Sequence, residues 1–302
     1  MQQTPRVLSI QSHVVSGYCG NKSAVFPLQI LGYEVDSVNS VQFCNHTSYK
    51  VCQGQVLNET DIGELYEGLV RNDLHHYTHL LTGYVGSVSF LSKISDIVKD
   101  LKEVNPHMTY ICDPVMGDDG VMYVPKEVLP MYTEKIVPLA DIILPNQWEA
   151  ELLTGTTITT ESDVLTTINL LHERGPHTVV LTSSNLSTDA NVLTGYASCV
   201  KDGKKTCVKM AVDKLDAVFI GSGDLFAALW IAWQDKHPDD LELVCAKVQS
   251  TMQLVLKRTL SMGKEAAGAG NGTSWAQREL KLVQSRKDIE DPKICVTVQT
   301  IT

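Results

Sequence analysis

The sequence predicts an α/β fold: a largely parallel sheet covered by helices on both faces, with a small β flap. Three observations carry this. Short β-type runs recur through the first two thirds of the chain, most are followed by a stretch with helical spacing, and turn residues bound them. Alternating strand and helix calls for parallel pairing, because each crossover helix returns the chain to the same end of the sheet.

The first expected strand is Arg6–Ser12 and the helix after it Asn21–Leu31. Tyr33–Asn39 forms the next strand, and residues 40–57 are polar, aromatic and β-type, which suits a flap. In Asp61–Arg71 the apolar residues Ile62, Leu65, Tyr66, Leu69 and Val70 stand at i, i+3, i+4, i+7 and i+8, predicting a helix with one buried stripe. Strand–helix pairs continue as Thr78–Gly83 with Ser87–Glu103, Thr109–Asp113 with Pro125–Ile136, and Asp141–Leu144 with Asn146–Thr154. A helix at Thr160–Arg174 then precedes the strand Thr178–Thr182. Beyond it the pattern changes, for Asn191–Val200 and Cys207–Val212 flank Asp202-Gly203, a hairpin turn signal that predicts an antiparallel excursion at the sheet edge. Two long helices follow, Gly223–Lys236 and Asp240–Gly263. A flexible Gly/Ala stretch, Glu265–Ser274, leads to a polar helix and a closing strand with Ile294, Val296 and Val298. No linker or repeat divides the chain, so residues 1–302 are expected to form one domain.

With 302 residues, of which 43% are apolar, the chain can bury a sizeable core, and disordered or small disulfide-scaffold classes are excluded. Its net charge of −10 offers no basic footprint, so neither nucleic acid nor an anionic membrane is an expected partner. The eight cysteines include no C-x-x-C pair and read as reduced thiols. The N-terminus enters Val7–Ile10 without a signal-peptide apolar region, and the longest apolar run, Leu225–Trp233, is too short to span a bilayer. A cytoplasmic protein is expected.

Three stretches carry chemistry. In Gly221-Ser222-Gly223-Asp224 two glycines permit a tight turn, and the apolar run after them makes a helix whose first amides point back into that turn. Such a helix start suits a phosphoryl group, and Asp224 stands where it can take a proton from a hydroxyl beside it. The plainer alternative is that Ser222 or Asp224 caps the helix. Phe226 replaces the third glycine of a dinucleotide fingerprint, and no Walker loop exists.

The second stretch, Asp113-Pro114-Val115-Met116-Gly117-Asp118-Asp119-Gly120, ends a buried strand in carboxylates, which suits Mg²⁺ shared with nucleotide phosphates. An Asx turn is the plainer alternative, and for Asp119 it is preferred. In the third, Pro145-Asn146-Gln147-Trp148-Glu149, Asn146 and Glu149 share one face of a first helical turn, as in a metal–phosphate site or a capping box. Three such strand ends together favour a site over three caps. His75, His76 and His79 lack a further ligand at matching spacing and read as surface residues, and without a G-x-S-x-G there is no hydrolase elbow.

Together these stretches resemble the ribokinase-like superfamily, specifically its pyridoxal kinase branch. The resemblance extends to Leu8–Tyr18, Asn39–Thr47, Leu81–Tyr84 and Arg286–Pro292, nearly end to end. It implies a three-layer fold and ATP-dependent phosphorylation of the 5′-hydroxymethyl group of pyridoxal, pyridoxine or pyridoxamine. It implies Asp224 as base, with the amides of Gly221, Ser222 and Gly223 stabilising the transferring phosphoryl group. Asp113, Asp118, Asn146 and Glu149 would organise Mg²⁺ and ATP, directly or through water, with Thr182 and Ser183 beside the nucleotide. Ser12 and Thr47 would bond the pyridine ring's polar atoms, while Val41, Phe43, His46 and Tyr84 line or cover it. A homodimer, a monovalent cation such as K⁺ and a closing flap are implied as well.

The chain departs from that pattern in a short loop at Gly117–Val121, in Ser222 for a common Thr, and in Leu144 for a frequent Thr. The last removes a hydroxyl near the phosphates and is expected to weaken ATP binding. Two rivals are a hydroxymethylpyrimidine kinase, against which Ser12, Thr47 and Tyr84 argue, and a silent B6-binding regulator, against which the intact Asp224 and metal-site carboxylates argue.

Overall fold

The computed structural model describes residues 4–269 and 271–301. Six strands build the parallel part of the sheet: β1 (Arg6–Val14), β2 (Glu34–Phe43), β4 (His79–Thr82), β5 (Thr109–Cys112), β8 (Ile142–Ile143) and β9 (Thr178–Ser184). A hairpin of β10 (Val192–Lys201) and β11 (Lys204–Asp213) extends one edge antiparallel, and β12 (Thr297–Ile301) closes it. At the other edge β3 (Gly54–Val56) pairs antiparallel with the end of β2. The order is β12-β11-β10-β9-β8-β5-β4-β1-β2-β3. A separate two-stranded ribbon, β6 (Gly117–Asp118) with β7 (Val121–Met122), forms the short loop after β5.

Successive side chains of each central strand enter opposite apolar layers, as the pleat requires. Leu80, Tyr110, Ile143 and Val179 face α2 (Glu59–Arg71), α3 (Val88–Val104), α5 (Gln147–Thr154) and α6 (Glu161–His172). Leu81, Ile111, Ile142 and Val180 face α1 (Asn21–Ile30), α7 (Ser222–Lys236) and α8 (Leu241–Ala267). The expected three layers are therefore present. At the hairpin tip Asp202 and Gly203 both have positive φ, 52° and 74°, the primed turn their sequence called for.

Several expectations change in detail. Only Ile62 of the α2 stripe is buried, and Leu65 is 50% exposed, because α2 rests on α3 by a narrower face than its pattern suggested. Pro125–Ile136 is not one helix: α4 (Val128–Met131) passes into a wider π turn at Tyr132–Ile136, where the Thr133 hydroxyl donates to the carbonyls of Leu129 and Pro130. Helix α8 runs on to Ala267, into the stretch expected to be flexible, and Gly270 of that stretch lies outside the described residues, as do Met1 to Gln3 of the N-terminus. The chain then forms α9 (Trp275–Arg278) and α10 (Arg286–Glu290). Val298 lies in β12, whereas Ile294 and Val296 precede it.

Candidate active site

The residues singled out in sequence gather at the C-terminal ends of the parallel strands, where an open α/β sheet presents its crevice. The first turn of α7 faces that crevice. Gly221 caps the helix with φ 78°, and a Cβ there would lie 2.1 Å from the carbonyl oxygen of Tyr18, so only glycine fits. The Ser23 hydroxyl donates to the Gly221 carbonyl at 2.8 Å, and that of Ser222 to Phe219 at 3.3 Å.

Asp224 does not cap its own helix through a side-chain bond. Its Oδ2 accepts instead from the Gly20 amide at 2.7 Å, across 204 residues of chain. Burial pushes its pKa up, against the Gly20 hydrogen bond that favours the ionised form. Asp113, at the end of β5, turns its carboxylate toward the same helix start, with Oδ2 3.6 Å from where a Gly223 Cβ would stand. Burial, followed by the charges of Glu149 and Asp224, raises its pKa well above the usual range.

Asn146 and Glu149 do form a capping box on α5, yet Glu149 does more than cap. Besides Asn146 N–H at 2.9 Å, its carboxylate accepts the amides of Met116 at 2.9 Å and Gly117 at 3.4 Å, fixing the loop after β5. Burial lifts its pKa to about 7, with those three amides pulling the other way. Asn146 donates to the Gly117 carbonyl at 2.8 Å. Asp118 lies apart from this buried group, exposed, its carboxylate accepting the Asp119 amide at 3.0 Å.

Beyond it opens a cavity of about 230 Å³ lined by Asp118, Asn146, Trp148, Ser183 and Asn185. Thr182 reaches this side too, its amide donating to the Pro145 carbonyl at 3.0 Å. Leu144 is buried within the α7 layer, so its side chain fills core. A larger cavity, about 940 Å³, lies between α2 and α3, lined by Glu59, Glu64, Tyr66, Lys93 and Asp96, away from every strand end above.

On the other side of Asp224, Ser12 sits at an irregularity of β1, where pairing with β2 shifts register between Gln11 and His13. Val41 and His46 are buried, Phe43 and Tyr84 half-buried, and Thr47 exposed. Two residues that sequence reasoning missed join them: Gly20, through its amide, and Glu279, which meets Tyr18, His46 and Tyr49. Neither carries a motif, because both act through distant contacts.

The donors suit a divalent cation in a particular way. Asp113 and Glu149 are buried carboxylates, and the charge of Glu149 helps to raise the pKa of Asp113, a repulsion a cation relieves. Among the described residues, however, the only trio with ligand atoms within 4.8 Å of one another is Asp73, His75 and His76, so Asp113, Asp118 and Glu149 form no closed ligand shell. An ion such as Mg²⁺ would keep water and phosphate oxygens in most positions, its usual habit. His79, grouped with His75 and His76 in sequence, is buried beside Asp235 at 3.2 Å instead.

A three-layer α/β sheet whose strand ends and helix start surround a buried aspartate defines a small-molecule phosphotransferase of the ribokinase-like type. A family model described as phosphomethylpyrimidine kinase matches residues 70–269. Curated relatives include pyridoxal kinase of Bos taurus, 51% identical over 98% of each chain, and that of Arabidopsis thaliana, 50% identical over 96% of this chain and 93% of the relative. Pyridoxal kinase from Leishmania donovani, solved in complex with ADP and pyridoxamine, superposes with a TM-score of 0.90 at 31% identity, over 98% of this chain and 99% of that one. The chain belongs to the pyridoxal kinase family. Ser12, Val41, His46 and Thr47 lie outside the segment matched by the broader pyrimidine-kinase model.

Proposed function

We propose that the protein transfers the γ-phosphoryl group of ATP to the 5′-hydroxymethyl group of pyridoxal, pyridoxine or pyridoxamine, yielding the 5′-phosphate and ADP. The observation that carries the mechanism is Asp224, buried at the first turn of α7 and held there by the Gly20 amide at 2.7 Å. Burial makes this carboxylate a better base than a solvated one, and an alcohol needs a base at neutral pH. Asp224 takes the hydroxyl proton as the oxygen bonds to the γ-phosphorus and the bond to the ADP oxygen breaks. The amides of Gly221, Ser222 and Gly223, at the positive end of the helix, stabilise the charge growing on the phosphoryl oxygens.

Asn146, Thr182 and Ser183 hold the nucleotide. Asp113, Asp118 and Glu149 would hold Mg²⁺, which would neutralise phosphate charge. Ser12 and Thr47 bond the ring's polar atoms, Val41, Phe43, His46 and Tyr84 enclose it, and residues 40–57 close over it to exclude water. The reading includes activation by a monovalent cation such as K⁺, a cytoplasmic homodimer, and one catalytic domain over the whole chain. No helix among the described residues is long and apolar enough to cross a membrane.

The test is ADP formation measured by coupled assay with pyridoxal, with hydroxymethylpyrimidine and with neither. Vitamin-dependent turnover supports the reading. Turnover with hydroxymethylpyrimidine alone would transfer the protein to the sister activity, and no turnover would leave a binding protein.

A further inference from the structure

Glu279 lies in the C-terminal segment between α9 and α10, far in sequence from every motif of the site, yet its side chain is only 11% exposed. Its Oε2 accepts the Tyr18 amide at 3.0 Å, across 261 residues. Its Oε1 accepts the Tyr49 hydroxyl at 3.0 Å and faces His46 Nε2 at 3.4 Å. The Ser48 amide donates to His46 Nδ1 at 3.3 Å, so the proton of a neutral ring sits on Nε2, directed at Glu279.

The loop opposite is shaped for this carboxylate. Gly17 has φ 91°, and a Cβ there would stand 2.3 Å from Glu279 Oε2. The next residue, Tyr18, presses its carbonyl on Gly221, and two residues later the Gly20 amide holds Asp224. Trp275 of the same C-terminal segment meets the His46 ring edge-on at 5.4 Å, and Arg278 covers Trp275 at 4.0 Å.

We propose that Glu279 is a positioning residue that pins two segments to one point: the Gly17–Gly20 loop that seats Asp224 against α7, and the flap turn His46–Tyr49 that covers the vitamin. It touches no reacting atom. The inference rests on the kinase reading, and it extends that reading to a segment outside the motifs.

Steady-state kinetics of Glu279→Ala, Glu279→Gln and Tyr49→Phe test it, together with amide exchange of the ligand-free proteins. Because charge-assisted bonds are lost at both parts, Glu279→Ala should raise the pyridoxal KM roughly 10-fold and lower kcat roughly 10-fold, with the ATP KM within about twofold of wild type. Exchange should quicken in both 15–20 and 44–53. Glu279→Gln keeps an acceptor for the Tyr18 amide and should restore kcat to within about threefold while the pyridoxal KM stays raised. Tyr49→Phe cuts the flap arm alone and should raise that KM about threefold at unchanged kcat.

Unaltered exchange and kinetics in Glu279→Ala, or equal changes in both substrates' KM, would overturn the proposal. Should that variant fail to fold, Glu279→Gln and Tyr49→Phe decide by the same pattern. A wild-type protein without vitamin-dependent turnover would remove the kinase reading, and the exchange measurement would then judge the tether separately.

Discussion

Replacing Asp224 by asparagine removes basicity and little else. The Asn Oδ1 can still accept the Gly20 amide now bonded at 2.7 Å, and α7 is capped by Gly221, so neither the loop nor the helix start loses its support. Loss of a general base costs about 10²–10⁴ in kcat, or about 3–5 kcal/mol of barrier at 1.36 kcal/mol per decade. Stability should not fall, because burial already disfavours the charge being removed. Affinity for ATP should hold or improve with one negative charge fewer near a polyanion. Asp224→Ala is the informative comparator: it orphans the Gly20 amide and should cost about 1–3 kcal/mol of stability besides the chemistry. The assay pairs coupled ADP release at saturating substrates with a denaturant melt of each variant. A folded Asp224→Asn protein with kcat within threefold of wild type would refute the assignment of the base and leave Asp224 a structural tie to Gly20.

Glu149 supplies a pH test. Burial pushes its carboxyl up to about 7 in the folded protein, against the ordinary range when unfolded, so ligand-free stability should decline as pH rises from about 4.5 to 7, by about 3 kcal/mol from this group. Glu149→Gln should flatten that decline in melts taken across the range. Gly221→Ala places a Cβ 2.1 Å from the Tyr18 carbonyl at φ 78°, and should cost at least about 2–3 kcal/mol in a denaturant melt along with most activity. Pyridoxal with a nonhydrolysable ATP analogue should slow amide exchange across Val41–Val56; equal exchange with and without ligands would remove the closing flap. Sedimentation at micromolar concentration should give about twice the 33.2 kDa chain mass, and a clean monomer would cancel the dimer alone.

The parts of the fold that were legible in the sequence are those that local chemistry decides. Asp202-Gly203 takes two positive φ values because few other pairs do so cheaply, and the alternating runs became parallel strands because each crossover helix found a face to cover. The α2 stripe misled because periodicity reports which residues are apolar, whereas the partner helix decides how much of the stripe it covers, and Leu65 was left outside. Pro125–Ile136 misled because the chain widens into a π turn at Tyr132–Ile136, a change of winding that apolar spacing does not announce. Within the site, Asp113, Asn146, Glu149 and Asp224 were legible because strand ends and helix starts announce themselves by spacing. Gly20 and Glu279 were not, since a backbone amide has no letter of its own and a lone glutamate in a polar segment looks like any solvated one.

The bond from Gly20 to Asp224 and that from Tyr18 to Glu279 join the first strand–helix connection to the last third of the chain. A growing polypeptide therefore cannot tie Gly20 to Asp224 until α7 has been synthesised, nor fasten the neighbouring loop until residue 279 has emerged. Early strands and helices can form from neighbouring contacts, whereas these two closures span most of the chain and come late. Regained catalysis thus times the final closure in refolding, trailing the far-ultraviolet signal of the helices, and a nascent chain released before α9 carries most of its sheet without a finished site.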